Sequence, residues 1–375
     1  MARNTPPLYI GIMSGTSLDG VDAVLADFSR ATTPRLIAQQ HIAFDPPLRA
    51  ELLALNHPGE NELARAALAA NALARHYAQA ARALLAQAQT QPGDIAAIAC
   101  HGQTVRHRPE LGYTLQLNNP ALLAELTGIA VIADFRSRDI AAGGQGAPLV
   151  PAFHAAVFRH ATKHRVIVNI GGIANLTDLP VDGNVIGFDC GPGNILLDAW
   201  CAAHTGHPYD QGGAWAASGK AIPALLAALL QEPYFKQPPP KSTGRDVFHG
   251  GWLEPFLQAA YAPQDVQATL LKLSVKTIWQ AIHDYCPDTQ EVFVCGGGAR
   301  NTALMNSLRH AFAENAIPVA LTDALGVPAE QVEALAFAWL ARQTLHGEAG
   351  NLPAVTGATH PCVLGAIYPA GISAH

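Results

Sequence analysis

The chain has 375 residues, a length that predicts two domains or three. Hydrophobic residues make up 49% of it and charged residues 14%, so it can bury large cores, and an intrinsically disordered protein is excluded. Its formal net charge of −6 gives no electrostatic reason to follow nucleic acid or an anionic membrane. We therefore expect neither partner, and a locally built site for any phosphate that is bound.

The six cysteines are widely spaced, with no close pair of the kind that binds metal, and all stand in apolar or strand-like surroundings. That distribution predicts buried thiols in a reducing cytosol rather than a disulfide framework. The N-terminal residues show no cleavable targeting pattern, and no window of about 18 uninterrupted apolar residues occurs. The sequence therefore predicts a soluble, cytoplasmic protein without a membrane span.

Strand-like and helix-like patterns of apolar residues alternate along the chain, which is typical of an α/β fold. In the first half they predict strands at 8–13, 21–28, 95–100, 113–117 and 131–135. Helices are predicted there at 61–89 and 148–160. The glycine-rich run 141–146 has the composition of a flexible hinge and predicts a domain boundary near 139–146.

A second cycle of elements begins at residue 165. The patterns predict strands at 166–170, 175–179, 185–189 and 291–295, and helices at 194–204, 301–313 and 328–345. The stretch 237–245, rich in proline at its start, is interpreted as a surface loop. Both halves open with two strands joined by a glycine-containing turn, which indicates a duplicated fold although no sequence identity ties the halves together.

The turn at 15–20, between the first two predicted strands, is the first segment that could carry chemistry. Its glycines let backbone N–H groups point inward, and its Thr and Ser add hydroxyl donors, so the tip could receive phosphate oxygens. Asp19 or Asp22 could hold Mg²⁺ through water. An ordinary Gly/Ser/Asp hairpin is the competing interpretation, because the segment matches neither a Walker A loop nor a dinucleotide-binding glycine pattern.

Two more glycine turns lie at predicted strand ends. Gly171 and Gly172 separate two strands, while Gly296, Gly297 and Gly298 follow a strand and open a helix. Glycines there let a phosphate-bearing ligand approach the backbone at a helix N-terminus. One such turn is weak evidence, but three in one α/β chain favour a nucleotide site over simple connections.

Asp189 stands at the end of a predicted strand, beside a glycine-rich turn and just before a helix. Open α/β sheets place reactive groups at such strand ends. A helix N-cap is the competing interpretation, since aspartate is common at helix starts. Glu333, in the opening turns of the last predicted helix, is by default a solvated acid that complements the helix dipole.

The segment 101–107 follows a buried strand and is dense in hydrogen-bonding groups that suit a polar, polyhydroxylated ligand. His101 and His107 could suggest a metal, but no carboxylate or thiol completes a credible ligand set. Arg136 and Arg138 lie at another strand end, where an arginine can bind a carboxylate with two N–H groups. A plain Arg–Asp pair is equally easy to build there.

Together these motifs resemble the anhydro-N-acetylmuramic acid kinases, a branch of the sugar-kinase/heat-shock-ATPase/actin superfamily. The matching segments are 11–22, 100–104, 133–136, 141–148, 169–175, 187–194, 241–245, 295–299 and 356–358. They span essentially the whole chain, and the first of them and the segment 188–194 are highly specific.

The resemblance implies an α/β fold of two lobes, which are duplicated ribonuclease-H-like domains with ATP in the cleft between them. The first lobe is expected at 1–139 plus 346–375, on the sugar and phosphate side. The second is expected at 140–345, with the catalytic aspartate and the adenosine end. Family members look like homodimers, so a homodimer is expected here too.

The resemblance also implies one enzyme that couples hydrolysis to phosphorylation. Water opens the 1,6-anhydro bond of anhydro-N-acetylmuramic acid at the anomeric carbon, and the freed 6-hydroxyl oxygen takes the γ-phosphoryl group of ATP, with Mg²⁺ as cofactor. The product, N-acetylmuramic acid 6-phosphate, is an intermediate in recycling the bacterial cell wall (peptidoglycan).

Residue roles follow from the same resemblance. Because water is a poor nucleophile, Asp189 is expected to take its proton, with Glu333 as a second acid near the water or the sugar. The residues expected to hold the sugar are His101, Gly102, Gln103, Thr104 and Arg136, together with the two acids. Those expected at the nucleotide are Gly15, Thr16, Ser17, Leu18, Asp19, Gly20, Val21, Asp22, Gly171, Gly172, Gly296, Gly297 and Gly298, with Asp19 and Asp22 holding Mg²⁺ through water.

Two alternatives remain open on the sequence. An ordinary sugar kinase of the same superfamily would use Asp189 to deprotonate a sugar hydroxyl and would cleave no ring. A non-enzymatic nucleotide switch of the actin or chaperone kind would turn over ATP slowly without sugar. The switch is disfavoured because no peptide-binding domain fits in the remaining length.

Overall fold

The computed structural model describes residues 7–15, 18–30, 32–244 and 247–371. Its strands are β1 (Leu8–Met13), β2 (Gly20–Asp27), β3 (Arg35–Ala43), β4 (Ile95–Cys100), β5 (Gln103–Arg108), β6 (Tyr113–Leu117), β7 (Val131–Ala133), β8 (Arg165–Ile170), β9 (Ile173–Leu179), β10 (Ile186–Pro192), β11 (Glu291–Cys295), β12 (Val319–Leu321) and β13 (Ala366–Tyr368).

Its helices are α1 (Pro46–Ala54), α2 (Glu62–Ala88), α3 (Pro120–Thr127), α4 (Ser137–Ala141), α5 (Val150–Phe158), α6 (Ile195–Thr205), α7 (Ala214–Ser218), α8 (Pro223–Leu229), α9 (Gly250–Leu253), α10 (Pro263–Tyr285), α11 (Thr302–Ala313), α12 (Val332–His346) and α13 (Pro353–Thr356). Every element predicted from periodicity is present. Short strands such as β12 and β13, and the long helix α10, lie where no element is predicted.

Two compact units make up the chain, Met1–Val157 with Gln331–His375, and Phe158–Glu330. In the first unit the sheet order is β13-β7-β4-β1-β2-β3. Strands β1, β2 and β3 form an antiparallel meander, while β4 pairs parallel with β1 and β7 parallel with β4. Helix α2 packs against this sheet and buries Leu73, Tyr77 and Leu84 completely, so its apolar stripe forms much of the core of this unit.

The second unit repeats that topology. Its sheet order is β10-β9-β8-β11-β12, in which β8, β9 and β10 form an antiparallel meander and β11 pairs parallel with β8. Strand β12 continues the parallel part. The order meander-then-parallel therefore occurs in both units, which confirms the predicted duplication. Helix α10 supplies the largest helical share of this unit's core, including Leu270, Leu273 and Ile278.

The division between the units differs from the predicted one at 139/140 and 345/346. Helix α12 belongs to the first unit because it packs against β1, β2 and β4. At Gly11 of β1 a Cβ atom would lie 1.9 Å from the carbonyl oxygen of Ala334, so only glycine lets the helix come this close.

The run 141–146 also belongs to the first unit, and hydrogen bonds hold it in place. The Gly144 N–H donates to the Asp139 carbonyl at 2.9 Å, and the Gln145 N–H donates to the Thr356 carbonyl at 2.7 Å. A loop held at two points inside one unit is not the flexible hinge that its composition predicts.

All six cysteines are buried thiols, as predicted. Within the described part of the chain, no helix is long and apolar enough to cross a membrane.

Candidate active site

His101, which follows β4 directly, is buried and held in one tautomer. Its Nδ1 lies 2.7 Å from the Gly102 carbonyl oxygen, and Arg136 Nε lies 3.0 Å from its Nε2. An arginine can only donate, so Nε2 accepts and the ring proton sits on Nδ1. Burial, reinforced by the charge of Arg136, lowers the pKa of His101 to about 3. The imidazole is therefore neutral at physiological pH and serves as a fixed partner of Arg136 rather than as an acid or base.

Arg136 follows β7 and is the centre of a polar cluster in the first unit. Besides His101, it contacts the Gly146 carbonyl oxygen, to which Nη1 donates at 2.7 Å. Burial lowers the pKa of Arg136 to about 10, and the negative charges of Glu333 and Asp139 oppose that shift. Arg136 thus stays a cation at neutral pH, in a setting where a ligand carboxylate would meet an already oriented guanidinium.

Glu333 lies in the first turn of α12, and the packing of that helix brings it into the same cluster. Phe337, one turn further on, places its ring centroid 5.1 Å from that of His101 and 5.5 Å from that of Phe135. Residues four apart share a helix face. Glu333 is half-buried on this face and close enough to act on the charge of Arg136, so it is not the fully solvated helix-start acid of the default interpretation.

The remaining predicted sugar ligands lie just after His101. Gly102 has a φ of +79°, and a Cβ there would lie 2.6 Å from the Leu117 carbonyl oxygen, so this position requires glycine. The Thr104 hydroxyl accepts a hydrogen bond from Gln116 Nε2 at 3.1 Å. Gln103 is only 2% exposed, and its Oε1 has no hydrogen-bond partner among the described residues. A buried acceptor without a donor is costly, and a ligand N–H or O–H would relieve that cost.

In the turn between β1 and β2, several predicted nucleotide ligands serve the packing of the fold. The side chains of Leu18 and Val21 are buried in the core of the first unit, and Gly20 lets β2 pair closely with β3. Any contact that these three residues make with a ligand would use their backbone. Gly15 lies in the same turn, and its carbonyl accepts the Leu18 N–H at 3.3 Å. Thr16 and Ser17 lie outside the described residues.

The two proposed metal-binding aspartates differ in their surroundings. Asp19 is exposed, whereas Asp22 Oδ1 lies 2.8 Å from His41 Nδ1. Among the described residues, no group of three or more His, Cys, Asp or Glu side chains is arranged to hold a metal ion. A magnesium ion here would therefore rely on water and ligand phosphates for most of its coordination.

The turn Gly171-Gly172 between β8 and β9 supports the start of α6. The N–H groups of Gly193 and Ile195 donate to the Gly172 carbonyl at 2.9 and 3.0 Å, and the Asn194 N–H donates to the Gly171 carbonyl at 2.8 Å. A Cβ at Gly193 would lie 2.4 Å from the Gly171 carbonyl oxygen. The carbonyl side of this turn is therefore committed to packing against the start of α6.

The glycine turn after β11 contains both constrained and open positions. At Gly296, which has a φ of +83°, a Cβ would lie 2.2 Å from Asn169 Oδ1, and at Gly298 it would lie 2.4 Å from Ile170 Cγ2. At Gly297 a Cβ would meet nothing within 4 Å. Packing against β8 thus explains the outer two glycines, and the middle one is left available to a ligand.

Asp189 lies inside β10, at a β-bulge, rather than at the end of a strand. The register with β9 shifts between Asp189 and Gly191, and bulges of this kind re-aim side chains near active sites. The N-cap of α6 is Asn194, so Asp189 is not a helix cap. Its Oδ2 accepts the Thr243 N–H at 2.9 Å. Burial raises the pKa of Asp189 to about 6, against the opposing effects of that N–H and of the charge of Lys241.

Lys241 and Thr243 are functional candidates that sequence reasoning missed, because their segment was interpreted as a connecting loop. The Asp189 N–H donates to the Lys241 carbonyl at 3.2 Å, so the segment runs along β10. Lys241 Nζ lies 4.9 Å from the centroid of the Tyr234 ring and 3.4 Å from the carbonyl oxygens of Tyr234 and Phe235. The signal available in the sequence was a lysine followed by Ser-Thr-Gly within a matching family motif.

Comparison with known proteins gives a consistent result. The model of the family described as anhydro-N-acetylmuramic acid kinase matches residues 7–370. A protein of that name from Nitrosospira multiformis is 58% identical over 364 residues, which cover 96% of this chain and 99% of that protein. One from Nitrosomonas europaea shows the same identity and coverage. Among solved structures, component A of Acidaminococcus fermentans (R)-2-hydroxyglutaryl-CoA dehydratase covers 89% of this chain and 96% of its own, at 12% identity and a TM-score of 0.46.

Proposed function

Because the chain belongs to the anhydro-N-acetylmuramic acid kinase family, we propose that it converts anhydro-N-acetylmuramic acid, ATP and water to N-acetylmuramic acid 6-phosphate and ADP. The observation that carries the proposal is Asp189, a carboxylate with a pKa of about 6 at a strand bulge. A base poised near neutral pH is what activation of water requires. The role is the consumption of a cell-wall fragment during peptidoglycan recycling.

Asp189 removes a proton from the water that attacks the anomeric carbon. The new C1–O bond forms as the bond from C1 to O6 breaks. O6 forms a bond to the γ-phosphorus as the bond from that phosphorus to the β,γ-bridging oxygen breaks, so that ADP leaves, and Asp189 then releases its proton to solvent. Thr243 holds Oδ2 through its backbone N–H, and Oδ1 accepts no hydrogen bond from the described residues. We assign Oδ1 to binding the water, while Lys241 favours the ionised form of the carboxylate.

The sugar is held by the polar cluster of the first unit. Arg136, fixed by His101 and Gly146, binds the lactyl carboxylate or a ring hydroxyl. Gln103 Oε1 accepts a hydrogen bond from the sugar, which satisfies a buried oxygen that has no other partner among the described residues. Glu333 acts beside Arg136 as the second acid.

The nucleotide is assigned to backbone groups of the glycine turns. Gly297 leaves room for the adenosine end. We assign the phosphates to the turn between β1 and β2, because backbone N–H groups of a glycine-containing turn can donate to phosphate oxygens. Magnesium fits only a site of the kind in which the phosphates supply much of the coordination, with Asp19 contributing through water and Asp22 shared with His41. When bound, the ion neutralises charge on the transferred phosphoryl group. We also propose that the protein is a homodimer and acts in the cytoplasm.

Product isotope analysis tests the reaction. When the enzyme works in water enriched in oxygen-18, the product should carry one heavy atom, at C1, and one ADP should form per anhydro-sugar consumed. Because the C1 hydroxyl of a reducing sugar exchanges with solvent, unlabelled product incubated for the same time in the same water is the control. An ordinary sugar kinase would instead phosphorylate N-acetylmuramic acid and leave the anhydro-sugar intact. ATP turnover that ignores both sugars would indicate a nucleotide switch.

A further inference from the structure

Asp139 is a fully buried carboxylate to which the reaction assigns no role. Its Oδ2 accepts the Gly146 N–H at 2.7 Å, and its Oδ1 accepts hydrogen bonds from Asn351 Nδ2 at 2.6 Å and from Thr356 Oγ1 at 2.7 Å. Burying a charge is expensive unless hydrogen bonds compensate it. Three donors supply that compensation, one from the neighbouring loop and two from the C-terminal segment, and together they fix the position of the carboxylate.

Gly146 connects this carboxylate to the polar cluster. Its N–H donates to Asp139, while its carbonyl oxygen accepts the hydrogen bond from Arg136 Nη1 at 2.7 Å. Arg136 Nε in turn donates to His101 Nε2 at 3.0 Å. A continuous path of hydrogen bonds therefore runs from Asp139 through one glycine residue to Arg136 and on to His101.

The backbone around Gly146 has little freedom to rearrange. Gly146 has a φ of +66°, and a Cβ there would lie 2.9 Å from Ile140 Cγ1. At Gly144 a Cβ would lie 2.2 Å from Asp139 Oδ2. These close approaches give a physical reason for two glycines of the run 141–146, and the bonds from Asn351 and Thr356 tie the same carboxylate to the C-terminal segment.

We propose that Asp139 is a positioning residue that acts through Gly146 to orient the Arg136 guanidinium for binding the anionic group of the substrate. The inference rests on the proposed function for the identity of that substrate. The negative charge of Asp139 also supports the cationic form of Arg136. The competing view is that Asp139 only ties the C-terminal segment to the loop.

The test compares Asp139→Asn with Asp27→Asn. Asp27 is a matched control because it is another buried carboxylate of the first unit, and it accepts the Ser29 N–H at 2.7 Å and a bond from Arg35 at 3.2 Å. In Asp139→Asn we expect the KM for the anhydro-sugar to rise about tenfold or more, as for a weakened charge-assisted hydrogen bond. The ATP dissociation constant should stay unchanged, and Asp27→Asn should change neither.

A second readout does not depend on the substrate. Nitrogen-15 NMR of the imidazoles, assigned with a His101→Gln variant, reports whether His101 Nε2 still accepts a hydrogen bond. We expect its resonance to move in Asp139→Asn and to stay in place in Asp27→Asn. A shifted resonance in an enzyme that proves inactive on the anhydro-sugar would support the positioning role and contradict the proposed substrate.

A milder second variant keeps the proposal testable. If Asp139→Asn does not fold, Thr356→Val keeps the carboxylate and removes one of its donors. It should raise the sugar KM severalfold without affecting ATP binding. An unchanged sugar KM and an unchanged His101 resonance in a folded variant would overturn the proposal and leave Asp139 as a structural anchor.

Discussion

Asp139 and Asp189 are both carboxylates withdrawn from solvent, one in each unit, and they are satisfied very differently. Both oxygens of Asp139 accept hydrogen bonds, three in all. The carboxylate of Asp189 accepts one from the described residues, at Oδ2, and burial raises its pKa to about 6. A carboxylate whose two oxygens both accept hydrogen bonds from the protein is suited to holding other groups in place rather than to taking a proton from a reactant. One that keeps an oxygen available, in a setting that favours protonation, can take a proton from a reactant.

The same contrast occurs in the backbone. Gly144 and Gly298 are glycines because a neighbouring atom fills the space where a Cβ would be. Gly297, adjacent in sequence to one of them, faces open space. Packing therefore explains the first two, whereas no contact within 4 Å explains the third, which we assign to the nucleotide.

The largest expected effect comes from Asp189→Asn. The amide keeps the shape and can still accept the Thr243 N–H, but it cannot take a proton from water. Loss of general-base help should lower kcat by about 10²–10⁴, with ATP binding largely retained. Steady-state kinetics and nucleotide titration measure both quantities. A variant that keeps more than about a third of the parental kcat would remove Asp189 from this role.

Gly144→Ala tests the surroundings of the Asp139 carboxylate. Its new Cβ would lie 2.2 Å from Asp139 Oδ2, so either the carboxylate or the loop must move. We expect a loss of about 1–3 kcal/mol in the free energy of unfolding, together with a raised sugar KM. Gly93→Ala is the control, because a Cβ there meets nothing within 4 Å. Equal stability of the two variants would show that the loop is not as constrained as its contacts indicate.

Gly297→Val tests the open position. The side chain should obstruct the nucleotide and weaken ATP binding about tenfold, which corresponds to ~1.4 kcal/mol, while sugar binding and the melting temperature stay close to the parent's. Gly298→Val, whose Cβ would lie 2.4 Å from Ile170 Cγ2, should instead lower the melting temperature. Unchanged ATP affinity in a folded Gly297→Val enzyme would contradict the assignment of the adenosine end.

The smallest expected effect is a shift in pH dependence. Because Asp189 must be ionised to act as a base, kcat should fall as the pH drops below about 6. Lys241→Met removes a positive charge that favours ionisation, so this acid limb should move up by about half a pH unit to one unit. Lys276→Met is the matched control, because Lys276 also lies over an aromatic ring of the same unit, with its Nζ 4.0 Å from the centroid of the Trp279 ring. An equal shift in both variants would point to a general effect of charge.

Protein stability provides an independent check with a definite sign. The pKa of Asp189 is about 6 in the folded protein and about 3.9 when unfolded, so the folded state binds this proton more tightly. The resulting stabilisation is complete below pH of about 4 and is lost as the pH rises through about 6. An asparagine at this position stays neutral at every pH, so Asp189→Asn does not lose this stabilisation. As the pH rises from about 4 to about 6, the variant should therefore become more stable relative to the parent. Melting temperatures of both proteins measured across that range decide the point.

Much of the fold was predictable because local patterns and packing agree. Strands β1, β4, β6 and β11 have the predicted bounds, and α2 differs from its prediction by one residue at each end. These are the segments where apolar periodicity is strong. A prediction that rested on composition alone was wrong. The run 141–146 has the glycine content of a hinge, but hydrogen bonds to Asp139 and Thr356 hold it.

The sequence by itself determined the α/β class, the pair of strands and glycine-containing turn that opens each half, the family and most of the candidate residues, because these depend on periodicity and on short motifs. Only the tertiary structure decided which donors surround each carboxylate, since two of the hydrogen bonds to Asp139 come from residues more than 200 positions away. It likewise decided that Lys241 and Thr243 accompany Asp189, and that Arg136 and Glu333 lie close together. Such facts depend on distances between segments that are remote in the chain, and neither local propensity nor spacing encodes those distances.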